Sequence, residues 1–109
     1  MYYQPKKSTA RWLENAPAPV LACYDSGPET VDRYIVLYGG PFYDPSMGRR
    51  VQYVAMSAEP NHPLGFCQHG ETESADRKAL GKKIRFDDLP LNCRRQVRQE
   101  CESALADVY

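Results

Sequence analysis

The segment NHPLGFCQHGE, residues 61–71, gathers two histidines, a cysteine and a glutamate into one short stretch. Three kinds of chemistry suit those residue types. Cys67 and His69 are separated by one residue, which puts both side chains on the same side of an extended strand, and His62 or Cys23 approaching from elsewhere would complete a set that zinc accepts. Cys67 as a nucleophile, with His62 or His69 as base and Glu71 orienting it, is the second arrangement. The third is presentation. Pro63 pushes His62 towards an extended backbone and Gly65 permits a turn whose dihedrals a side chain would forbid, so the loop offers Asn61 and His62 to a partner at low ordering cost.

The companion signals for metal and catalysis are missing. Closed zinc sites announce themselves by paired CxxC or CxxxC knuckles, which this chain lacks, and Cys93 and Cys101 lie about 12 Å apart by helical rise. No nucleophile signature surrounds Cys67. The expectation is therefore no catalytic residue, no metal and no cofactor. Cys67 is expected to be partly buried beside Phe66, with His62 and His69 facing water or making a structural hydrogen bond, and Asn61, His62 and His69 form part of a protein-binding surface.

A second surface is basic. Arg77, Lys78, Lys82, Lys83 and Arg85 run without an intervening acid, and Arg94, Arg95 and Arg98 follow. Lys82, Lys83, Arg85, Arg94 and Arg95 are the candidates for phosphate contact, and nucleic-acid binding is the alternative function. Asp87 and Asp88 interrupt the field, and no RNP aromatic motif, zinc finger, KH loop or basic zipper accompanies it. GGPF at 39–42 ends in neither GKS nor GKT and is no nucleotide-phosphate loop. With Phe42, Tyr43 and Met47 it reads as an aromatic turn, and Phe42 and Tyr43 at an exposed tip are candidate contacts for a protein partner. The pairs Asp87 with Asp88 and Asp25 with Glu29 do not make a general acid and base by adjacency alone.

These residues need elements to hold them. Ser8 or Thr9 caps a short turn through Arg11–Glu14 that Pro17 and Pro19 end. VLACY at 20–24 reads as a first strand, and DRYIVLY at 32–38 as the strongest and most central one. RVQYVAMS at 50–57 is the return strand, antiparallel to it, with Val51, Tyr53 and Ala55 on one face and Gln52, Val54 and Met56 on the other. Ser74–Leu80 forms one helical turn stopped by Gly81, and Ile84–Phe86 a short extended run. Leu89, Cys93, Val97, Cys101, Leu105 and Val108 recur at helical spacing, which predicts an amphipathic helix with Asp88 as N-cap and Pro90 in the first turn. The fold class is α+β: a small antiparallel sheet of three or four strands packed against one long C-terminal helix, its other face partly covered by the N-terminal segment and loops.

Composition sets the outer bounds. The 109 residues make a flexible tail over 1–10 and a single domain over 11–109, with 42% hydrophobic residues supplying one core. Fourteen basic and fourteen acidic residues cancel, so no whole-molecule field steers the chain to nucleic acid or membrane. No apolar run reaches membrane-spanning length and no signal-like core opens the chain, which reads as cytoplasmic with four free thiols.

The run from Asp32 to Phe86, about half of the chain or slightly more and especially DRYIVLYGG, YVAMSAEPNHPLGFCQHGE and LGKKIRFDDLP, resembles a group of small uncharacterised proteins met in bacterial, phage and plasmid genes. The resemblance implies a mobile-element or accessory role and brings no activity, cofactor or catalytic residue with it. The expected function is a non-enzymatic accessory or interaction domain that binds a protein; a small metal-dependent or cysteine-based enzyme is a further alternative.

Overall fold

The computed structural model describes residues 11–39, 51–72 and 80–106. Five strands, β1 (Val20–Asp25), β2 (Tyr34–Tyr38), β3 (Val51–Met56), β4 (Cys67–Thr72) and β5 (Lys82–Ile84), precede helix α1 (Leu91–Ala106). They form one antiparallel sheet in the order β4-β3-β2-β1-β5, with helix and sheet in an α+β arrangement. The sheet has one strand more than the upper count expected from sequence. The addition is β4, whose polar sequence CQHGET carries no apolar alternation because it lies at the edge.

The apolar content of β2 places it in the middle of the sheet. Tyr34, Val36 and Tyr38 face α1 together with Cys23, Val54 and Met56, and meet Phe86, Leu89, Cys93, Val97 and Cys101 in the main core. The predicted four-residue stripe thus faces inward, with Leu89, Cys93, Val97 and Cys101 all at most 3% exposed. A second cluster, Ala22, Tyr24, Leu37 and Val51 with Ile35 and Tyr53 against it, occupies the opposite sheet face. Trp12 and Leu13 join the helix-side core, so this part of the N-terminal segment does not cover the opposite face as expected.

Two local expectations are corrected. Asp88 does not cap α1. It closes a 3-10 turn over Phe86–Asp88, where its Oδ2 accepts the Arg85 N–H at 3.0 Å, and the α-helical ladder starts with Arg94 N–H bonded to the Pro90 carbonyl at 3.0 Å. Pro90 therefore stands just outside the helix, where its missing donor costs nothing. At Gly81 the backbone adopts φ +106° and packs on Asp25 and Ser26, which leads the chain into β5. The tail over 1–10, the aromatic turn with Phe42 and Tyr43, residues 74–79 of the proposed helical turn and Val108 lie outside the described residues.

Candidate functional site

The loop from Ser57 to Phe66 positions β4. Ser57 N–H donates to the Phe66 carbonyl at 2.9 Å, while Phe66 N–H turns to the Ser57 hydroxyl at 2.9 Å. The freed Ser57 carbonyl accepts the Cys93 thiol at 3.1 Å, which ties the loop to α1. Inside the loop His62 N–H reaches the Glu59 carbonyl and Gly65 N–H the His62 carbonyl, at 3.2 and 2.7 Å. His62 Nδ1 accepts the Leu64 N–H at 3.0 Å, so this exposed imidazole is partly spent on shaping its own turn. Gly65 is required for a different reason from the one expected. It has no left-handed backbone, but a Cβ there would overlap the Glu59 carbonyl oxygen.

β4 pairs with β3 over six residues without a register break, from Met56 opposite Cys67 to Val51 opposite Thr72. Antiparallel ladders alternate bonded and non-bonded pairs. With Ser57 and Phe66 bonded, the backbone groups of Gln68 and Gly70 turn towards β3, and those of Cys67, His69 and Glu71 turn to the outer edge. Cys67 and His69 share the helix-side face, as the spacing implied, and Cys67 is exposed rather than partly buried. The edge position leaves it, among the described residues, with a strand neighbour on one side.

Glu100 of α1 is the charged centre beside this strand. Its side chain is 14% exposed, and one oxygen lies 3.7 Å from His69 Nδ1 and accepts Gln96 Nε2 at 3.0 Å. The other accepts the Tyr38 hydroxyl at 3.4 Å. Burial and then the Glu100 charge push both the Tyr38 phenol and the Cys67 thiol up from their ordinary values. The Glu100 carboxylate thus opposes thiolate formation at Cys67, the reverse of what a nucleophile needs. Cys93 and Cys101 are buried, with thiols pushed up to about 12 chiefly by burial.

The zinc set does not assemble. Cys23 sits on β1, three strands and about 14 Å from β4, and its buried thiol is likewise pushed up to about 12. Among the described residues no group of three or more His, Cys, Asp or Glu side chains is placed to hold a metal ion.

The basic candidates are spread over several surfaces. Lys82 and Lys83 are adjacent in β5 and point to opposite sides. Lys82 lies near Asp25, whereas Lys83 Nζ stands 5.0 Å from the centre of the Trp12 ring. Arg85 pairs with Glu14 at 3.2 Å and Arg94 donates to the Leu89 carbonyl at 3.1 Å, while Arg95 is exposed. Arg11, Trp12 and Arg85 line an open cavity of about 220 Å³.

Charge is distributed unevenly around the site. Residues 60–70 contain no Asp, Glu, Lys or Arg. On a helical wheel the flank of α1 continuous with Gln96 and Glu100 carries Asn92, Gln99 and Ser103, all exposed, while Arg94, Arg95, Arg98 and Glu102 occupy the other side. Tyr38, Gln96, Glu100 and Trp12 were not singled out from sequence. The amide-rich helix flank was legible there, but its nearness to residue 69 was not. No family model, curated protein or solved structure matches the chain.

Proposed function

We propose that this is a non-enzymatic binding domain that takes up a protein partner along the outer edge of β4. One observation carries the reading: a six-residue edge strand with unbroken register, Cys67–Thr72, continues directly from the charge-free run 60–70 and contains a single charged residue, Glu71. Proteins usually blunt such edges with lysine, proline, a bulge or a covering element, because a row of unpaired backbone groups invites another strand. In strand addition the main chain supplies affinity and alternate side chains supply selectivity. Cys67 and His69 are those side chains here, and Leu64, 91% exposed in the preceding loop, adds an apolar anchor.

Affinity capture with the wild type, Leu64→Ser and His69→Pro tests the reading. Proline at 69 removes an outward donor while sparing the β3 ladder. A partner set lost in His69→Pro and reduced in Leu64→Ser, at unchanged melting temperature, supports the edge. Identical capture by all three proteins overturns it.

A second reading, contact with single-stranded nucleic acid, is favoured by Trp12 and its cations Lys83, Arg11 and Arg85, since aromatic faces beside basic groups suit stacked bases. It predicts oligonucleotide binding that weakens with salt and is lost in Trp12→Ala. Absence of binding at low salt removes it.

A further inference from the structure

Resting on the reading that the β4 edge is an interface, we infer that its partner is a second copy of this chain, paired strand to strand about a two-fold axis at His69. The outward backbone groups of β4 belong to Cys67, His69 and Glu71, a set symmetric about its middle member. An antiparallel copy therefore sets His69 opposite its own mate and Cys67 opposite the mate's Glu71, joining two five-stranded sheets into one of ten strands.

The chemistry of the surroundings is self-complementary. A surface that meets its own copy must not present one charge sign to itself. Fourteen basic and fourteen acidic residues leave each copy without net charge, so two copies do not repel at long range. Close to the axis, Glu71 is the one charged residue of the outward set, and the pairing puts it opposite the mate's Cys67, about 14 Å along the strand from its own mate, while the exposed amides Asn92 and Gln99 lie on the helix flank beside β4. Each amide carries both donors and an acceptor and can meet an identical group. Each Glu100 is held within its own chain, 14% exposed and accepting hydrogen bonds from Gln96 and Tyr38, so the two carboxylates are not presented to one another at the surface. The arginines of α1 stand on the far flank.

The contact is short. Stable complexes bury roughly 1,200–2,000 Å² in total, and one pair of edge strands falls at or below the lower end. The dimer is therefore reversible and concentration-dependent.

Sedimentation equilibrium from micromolar to millimolar concentration tests the inference, with His69→Pro and His69→Cys beside the wild type. The expected result is a wild-type mass rising towards two chains, self-association weakened at least tenfold in a folded His69→Pro, and a disulfide-linked dimer of His69→Cys with oxidised glutathione. Cys67, displaced about 14 Å along the strand from its own mate, does not cross-link in the wild type. A wild type that stays monomeric overturns the second copy but leaves the edge reading to the capture experiment. A dimer indifferent to His69→Pro, with no His69→Cys cross-link, overturns the second copy at this edge; if capture is also indifferent to His69→Pro, the edge reading falls with it.

Discussion

Gly65 shows how a single atom fixes the loop that delivers β4 to the edge. The space its missing Cβ leaves is filled by the Glu59 carbonyl, a backbone atom that cannot rotate away. Gly65→Ala should therefore destabilise the domain by about 1–3 kcal/mol, the range for forcing bulk into packed structure. Gly70→Ala is the informative control. Its Cβ would meet the end of the Tyr53 side chain at 3.2 Å, which a small ring shift relieves, so the loss should be smaller. Urea unfolding of the two variants decides the matter, and equal midpoints would remove the argument from backbone contact. The need for glycine at 65 was visible in NHPLG, but the cause was not. A residue type reports a constraint; only the tertiary approach of Glu59 distinguishes a crowded Cβ from a left-handed dihedral.

The β1–β2 hairpin depends on a latch at its loop end. Arg33, just before β2, gives Asp25, at the end of β1, two hydrogen bonds at 2.8 and 3.1 Å, and Gly27 N–H adds a third at 2.9 Å. The Arg33 hydrogen bond comes first among the causes that hold the Asp25 carboxyl below its ordinary value. A depressed carboxylate stabilises the fold above its unfolded value of about 4, and that contribution disappears as pH falls through the folded value. Asp25→Asn should accordingly melt at a lower temperature at neutral pH, with the difference shrinking once the pH drops below that range. Melting curves collected across the acid limb check this, and a constant difference would mean that the carboxylate charge is not what latches the hairpin. At this scale the sequence was most readable. β1, β2, β3 and α1 follow from apolar runs and helical spacing because each buries a face. β4 is half-paired and polar, so hydrophobic periodicity has nothing to report there, and the placement of Glu100 beside His69 joins positions 31 residues apart that only the packing of α1 brings together.

Across the whole molecule the two ends of the sheet are unlike. Beyond β5 the N-terminal segment closes in: Phe86 N–H bonds to the Trp12 carbonyl at 2.9 Å and Lys83 lies over the Trp12 ring. Beyond β4 the sheet contains no further strand among the described residues. Net neutrality removes the charge repulsion that elsewhere keeps such an edge apart. The asymmetry has a direct reading in amide hydrogen exchange. In dilute solution the amides of Cys67, His69 and Glu71 should exchange rapidly while their neighbours Gln68 and Gly70, bonded into the β3 ladder, exchange slowly, giving a period of two along one strand. As concentration rises the fast set should slow and the slow set change little, because only the outward donors gain partners when a strand is added. Phe86, already bonded to Trp12, should be insensitive to concentration. Uniform exchange along β4 at all concentrations would show that its two sides are not chemically distinct. Protection of the outward amides even at high dilution would show that the edge is already closed within one chain, leaving no place for a partner.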